Sequence, residues 1–427
     1  MVVLALPACQ PAAPGAPTRP FPQHRTYVGG GLRPTNYTQA QQDQDVRNFY
    51  LHWKSQYLVK VGSNYRVAMA GKNTPATAEL RGTTTSESQG YGMMIIALMA
   101  GYDANARTYF DGLWRFAKAN PSDIDPRLMG FLWPPEPDAN NSAFDGDVDM
   151  AYGLLLASRQ WGNAGKINYA AQAKSVLAGA LASTVGPQSR LPELGDWVDS
   201  TDDTGLFNQY TPRPSDFMPA HFRTFARATG NTAWNQVLRA SQNAVTSLQT
   251  NFAPATGLVP DFAAPTSATN RTLRPAPVTV QEPGGEPQFL EGPNDDAYSY
   301  NSMRVPWRIG TDALLSGATV GGSPNPSWNQ AKKISNWIRT ETGGDPTEIV
   351  AGYELNGTPI SGVDYFSSGF AAPFAVAATV AGRTTANQKW LNALYKLLRT
   401  HHEDYFEDSV TLLSLILITG NYWDPTA

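Results

Sequence analysis

The chain has 427 residues, a formal net charge of −4 and only 16% charged residues, a balance that gives no support for a nucleic-acid partner. Five histidines and one cysteine leave little material for a metal centre, no zinc-like spacing occurs, and no stretch is apolar for long enough to cross a bilayer. The length allows two or three domains or one large toroid, and 41% apolar residues suffice for a sizeable core.

Met1 to Cys9 ends in Leu6-Pro7-Ala8-Cys9, similar to the end of a bacterial lipoprotein signal, in which a small residue precedes a cysteine that becomes lipidated. Pro7 and the lack of a basic start depart from that pattern, and a frayed apolar terminus is the other reading. The expectation is an exported protein, secreted or lipid-anchored at Cys9. Gln10 to Arg33 is rich in Pro, Ala and Gly and is expected to be a tether without regular structure, so residues 1–33 precede a single domain of 34–427.

Helical periodicity then recurs along the chain. Val46, Phe49, Trp53 and Tyr57 make one apolar stripe. Thr83-Thr84-Thr85-Ser86 precede Glu87 and an almost wholly apolar run to Ala100, a helix buried on most of its faces. Further stripes are centred on Tyr109–Ala117, Asp145–Trp161, Tyr169–Ala180, Phe217–Phe225, Trp234–Leu248, Val305–Leu315, Trp328–Trp337, Phe370–Val380, Trp390–Leu397 and Ser409–Thr419. About a dozen amphipathic helices with few strands, no heptads and no short repeat predict an all-α fold of six helical hairpins, an (α/α)6 barrel. Two loops, Thr184–Arg213 and Thr256–Tyr300, are longer than a compact domain usually tolerates without function.

Three clusters carry chemistry. Glu87, at the start of a buried helix, is either a cap partner or an acid whose pKa is raised for proton donation. Asp145, Asp149 and Tyr152 share one helical face while Asp147 points elsewhere; these acids either serve the helix dipole or work in a site. Arg304 and Arg308, one turn apart, are either solvated or neutralise those acids.

The motifs Ser86-Glu87 with Tyr91-Gly92-Met93-Met94, then Asp145-Gly146-Asp147-Val148-Asp149 with Ala151-Tyr152, then Tyr300-Asn301 with Arg304, Pro306, Trp307 and Arg308 together resemble glycoside hydrolase family 8, from about Thr38 to Trp423. Arg213-Pro214-Ser215-Asp216 and Tyr405-Phe406-Glu407-Asp408 are secondary echoes. The resemblance implies an (α/α)6 barrel and inverting, endo-acting hydrolysis of β-1,4 linkages in a β-glucan. It makes Glu87 the general acid and Asp145 the carboxylate beside the sugar at the cleavage point. Phe144 stands where the motif usually has Ser or Thr, and Asn301 where many members have an Asp base. One branch with that Asn uses a Glu from an upstream loop, so Glu291 is the expected base. Glu282, Glu286, Asp295 and Asp296 are expected at the solvated surface.

Substrate contacts are expected from Tyr91, Trp133, Trp197, Tyr300, Asn301 and Arg304, with Tyr210, Tyr298 and Trp307 as further stacking candidates or core. The partner is a polysaccharide, the chain is expected to be a monomer, and neither cofactor nor metal is called for. A chitosanase is the alternative, since Asp196, Asp199, Asp202 and Asp203 crowd one loop and would attract a cationic polymer. A non-catalytic saccharide-binding toroid, with Asn301 marking a lost base, is the other class.

Overall fold

The computed structural model describes residues 15–28, 30–72, 78–136, 140–202, 204–281 and 283–427; Cys9, Asp203 and Glu282 fall outside them. The helices are α1 (Gln39–Tyr57), α2 (Ala78–Gly82), α3 (Ser86–Leu98), α4 (Ala106–Ala119), α5 (Phe144–Trp161), α6 (Tyr169–Ser183), α7 (Pro219–Thr229), α8 (Ala233–Asn251), α9 (Val305–Ser316), α10 (Pro326–Glu341), α11 (Ser368–Ala378), α12 (Thr385–Leu398) and α13 (Tyr405–Ile418). All twelve periodic stripes are helices, and only the one-turn α2 had no apolar signal. Strands among the described residues are confined to four short antiparallel pairs, of which β1 (Leu58–Val61) with β2 (Asn64–Val67) is the longest.

Helices α3, α5, α7, α9, α11 and α13 form a closed inner ring, each packed on the next and α13 on α3. The outer ring is α1, α4, α6, α8, α10 and α12. This is the (α/α)6 barrel expected from the periodicity. Composition follows position: every residue of α11 is buried, whereas α4 buries one stripe that includes Phe110, Leu113 and Ala117. Burying each inner Ile, Leu or Met contributes about 1.5–3 kcal/mol.

The ends of the barrel differ. The described residues between 15 and 33 contain no helix or strand, as expected, yet they are not a free tether. Phe21 and Leu32 are buried, and N–H groups of the segment donate to carbonyls at the C-terminal ends of inner helices. These bonds run from Thr18 to Gln160 O (3.0 Å), Phe21 to Ala100 O (2.7 Å), Leu32 to Thr379 O (2.7 Å) and Arg25 to Gly420 O (2.7 Å). The last carbonyls of a helix lack intrahelical partners, and this segment supplies them. At the opposite end, the N-termini of the inner helices and the two long loops meet. Those loops are ordered by a second apolar cluster of their own, Leu194 and Val198 from the first against Phe262, Ala264, Ala276 and Phe289 from the second.

Candidate active site

Every residue of α3 is buried except Glu87. Thr85 and Ser88 do the capping: Thr85 Oγ1 accepts the Ser88 N–H and Ser88 Oγ accepts the Thr85 N–H, both at 3.1 Å. The Glu87 carboxylate is therefore free to face a cavity of about 360 Å³. Helix α5 runs against α3 backbone to backbone. A Cβ on Gly146 would overlap the Ser86 carbonyl carbon and the Glu87 nitrogen, and one on Gly90 would lie 2.7 Å from Asp149 Cβ. Glycine at both positions lets Asp145 come alongside Glu87 on the same cavity wall.

Arg304, 1% exposed, joins the clusters. Its Nη1 donates to Glu87 Oε2 (2.7 Å) and Asp145 Oδ2 (2.8 Å), and its Nη2 to Ser215 Oγ and Asn301 Oδ1 (both 2.9 Å). Tyr405, at the head of α13, donates to Glu87 Oε1 at 2.7 Å. Arg213 lies 3.2 Å from Asp145, 3.1 Å from Asp216 and 3.7 Å from Glu291. Asn301 Nδ2 donates to Glu291 Oε2 at 2.8 Å. Asp261, fully enclosed, holds the turn beneath Asn301 by accepting the N–H groups of Ser299, Asn301 and Ser302 and the Ser302 hydroxyl.

The electrostatics separate the carboxyls. Burial pushes Glu87 up, and although Arg304 pulls against it, Asp145 adds to the rise. Burial works in the same direction on Asp145, but Arg213 and Arg304 outweigh it and hold that carboxyl down at about 2. Asp216 is pushed up to about 7 by burial. The Glu291 side chain is 49% exposed and stands in contact with solvent.

Of the expected residues, Glu87, Asp145, Glu291, Tyr300, Asn301 and Arg304 line this one cavity. Tyr91 does not: it is fully buried and edge-on to Trp307, and its hydroxyl accepts from Arg304 Nη1 at 3.4 Å, so it supports the arginine rather than presenting a surface. Trp133 and Trp197 do not line the cavity either. The first packs between Phe116 and the Arg66 guanidinium, and the second lies edge-on to Phe207 against the loop cluster. Tyr298 and Trp307 are core. Phe144, in the place usual for Ser or Thr, is buried against Phe222.

Arg308 takes Asp149 bidentately at 2.9 and 2.6 Å and leaves Asp145 to Arg304. His221 and the stacked Tyr152 complete this pair. The acids of the first long loop divide between interior and surface. Asp196 is buried and accepts from Ser122, Asp125 and Ser142, while Asp199 and Asp202 bond to Thr201 and Thr204 of their own loop.

Sequence reasoning gave no role to Arg213, Tyr405 or Glu407, although their motifs were visible as echoes. Glu407, pushed up to about 7 by burial, shares the wall with Asp404, Phe406 and the exposed Phe131. Among the described residues one His/Asp cluster, His52, His402 and Asp408, has metal-ligand composition. Its imidazoles stack 3.8 Å apart at 21°, so their in-plane lone pairs do not converge on one point.

Residues 37–275 match the profile of Glycosyl hydrolases family 8. The chain is 39% identical over 414 residues to a beta-glucanase of Niallia circulans, covering 96% of this chain and 92% of that one. It is 38% identical over 416 residues to an endoglucanase of Bacillus sp. (strain KSM-330), covering 95% and 82%. The apo structure of the beta-1,3-1,4-glucanase from Paenibacillus sp. X4 superposes with a TM-score of 0.84 at 38% identity, covering 96% of this chain and 100% of that one. Alike in motif order, in barrel and in sequence over nearly its whole length, the chain is a glycoside hydrolase and belongs to family 8.

Proposed function

We propose that the protein is an inverting, endo-acting hydrolase of β-1,4 linkages in a β-glucan of the cellulose or β-1,3-1,4 type, with Glu87 as general acid, Glu291 as general base and Asp145 as the carboxylate beside the reacting sugar. The observation that carries this reading is the pairing of two differently placed carboxyls on one cavity. Glu87 is desolvated with a raised pKa, and Glu291 is open to solvent and held by the amide of Asn301. In an inverting cleavage the protonated acid donates to the departing glycosidic oxygen while the ionised base takes a proton from the water attacking the opposite face of the anomeric carbon. Asp145, ionised down to about pH 2, would face the positive charge that develops on the sugar ring.

Asn301 cannot itself take that proton, since an amide is not a base at neutral pH; its bond to Glu291 fits the branch in which a loop carboxylate takes over. The substrate class follows the relatives named beta-glucanase, endoglucanase and beta-1,3-1,4-glucanase. For the chitosan alternative, Asp199 and Asp202 stand exposed on their loop, while Asp196 is buried in it.

Two measurements test the reading. Glu87→Gln should keep the circular dichroism spectrum and lose hydrolysis of barley β-glucan and carboxymethylcellulose. Activity within about tenfold of wild type would remove Glu87 from the role of acid. Proton NMR of the first product from a β-linked oligosaccharide should show the α-anomer, and the β-anomer first would mean retention.

A further inference from the structure

Glu291 is carried by a loop whose backbone N–H groups converge on one side chain, while Gln281 Nε2 holds the preceding carbonyls of Gln288 and Phe289. Asp295, expected from sequence to be a solvated surface acid, is 3% exposed. Its Oδ2 accepts the N–H groups of Phe289 (3.0 Å), Leu290 (2.7 Å) and Glu291 (2.9 Å), and its Oδ1 accepts that of Gly292 (3.1 Å). Four consecutive amides, the one belonging to Glu291 among them, thus close on one carboxylate. The Asp295 backbone is fastened in turn, its carbonyl accepting the Phe262 N–H at 2.8 Å. Phe262 follows Asp261, the residue that holds the Asn301 turn. The loop glutamate and the asparagine that bonds it therefore hang from adjacent points of one stretch of chain.

We propose that Asp295 is the positioning residue for Glu291: by fixing the backbone of residues 289–292 it sets the Glu291 carboxylate against Asn301, where it can meet the attacking water. The inference rests on the reading of Glu291 as the base. Its chemistry is specific to a carboxylate, because four donors need an acceptor with lone pairs on both oxygens. An asparagine in the same place has one acceptor oxygen; with it on the Phe289, Leu290 and Glu291 amides, its NH2 group meets the Gly292 N–H, donor against donor, and the loop would relax away there. A displacement of about 1 Å at a reacting group is enough to lower turnover about 100-fold.

The test is a cycle of Asp295→Asn, Glu291→Ala and the double variant, assayed on barley β-glucan with thermal unfolding as the control for folding. Asp295→Asn is expected to lower kcat by about 10- to 100-fold and to leave KM within about threefold, since the rest of the cavity is untouched. Glu291→Ala is expected to cost about 10²- to 10⁴-fold. The double variant should be no slower than Glu291→Ala alone, because a residue that acts through Glu291 has nothing left to position. Full additivity, or an Asp295→Asn enzyme with wild-type kcat, overturns the proposal. Near-wild-type turnover of Glu291→Ala overturns the assignment of the base itself, which is a different failure read from a different variant. If Asp295→Asn does not fold, amide hydrogen exchange in the wild-type enzyme decides. The amides of residues 289–292 should be protected, and exchange as fast as in the exposed turn at Ser267–Arg271 overturns the proposal.

Discussion

Tyr405→Phe should move the alkaline limb of the pH–rate profile upward. The phenol donates to Glu87 Oε1 at 2.7 Å, in a position where the tyrosine stays protonated: burial, and then the Glu87 charge, push its own pKa well above 10. A donor to a carboxylate stabilises the ionised form, so this bond works against the burial that raises Glu87. Hydrogen bonds to charged groups contribute about 1.5–3 kcal/mol, and about 1.36 kcal/mol corresponds to one pH unit, so loss of the hydroxyl should raise the Glu87 pKa by about 1–2 units. With Glu87 as the proposed general acid, it is the group that must be protonated, and activity should fall on the alkaline side as it ionises. The midpoint of that fall in kcat/KM should rise by the same amount, with the acidic limb unmoved. The assay is initial rates on barley β-glucan from acid to alkaline pH, at substrate well below KM. An unmoved alkaline limb, or one that moves down, refutes either the role of Glu87 or the influence of Tyr405 on it.

Asp149→Asn leaves Arg308 buried without its bidentate partner, and breaking such a pair costs about 3–5 kcal/mol, read as a lowered urea midpoint. A loss below about 1 kcal/mol would show that His221 and Tyr152 compensate. Asp147→Asn tests a buried carboxyl outside the chemistry. Asp147 Oδ1 accepts the Met129 N–H at 2.8 Å, and burial raises the group well above its unfolded value of 3.8. A raised carboxyl contributes stability that is complete below the unfolded pKa and is lost as the pH rises through the folded one. The non-titrating amide escapes that loss, so Asp147→Asn should gain in melting temperature relative to wild type as the pH is raised from about 4 to about 8. A difference independent of pH contradicts the raised pKa.

Much of this protein was legible in one dimension. The period of 3.6 residues is a local property, and it marked all twelve barrel helices, because each must present an apolar stripe to its neighbours whatever they are. Glu87, Asp145 and Arg304 were also visible, as charged groups at the heads of apolar helices, and Asn301 through the family resemblance. The lengths of the two loops pointed to the rim that holds Arg213 and Glu291.

What only the tertiary structure decided is pairing and burial, since most partners lie far apart in the chain and even the near ones meet only when the loops fold. Arg304 and Arg308 look equivalent in sequence, yet the packing of α9 sends one to Glu87 and Asp145 and the other to Asp149. Tyr405 reaches Glu87 across 318 positions because α13 closes the inner ring on α3. Tyr91 has the composition of a stacking platform, but ring closure buries it completely, whereas Trp133 and Trp197 pack on their neighbours and stay half-buried. Asp295 reads as one more loop acid until four backbone amides are folded around it. A sequence shows which groups are able to carry charge or donate a proton; which partner each one meets, and how dry that meeting is, is fixed only when the ring closes.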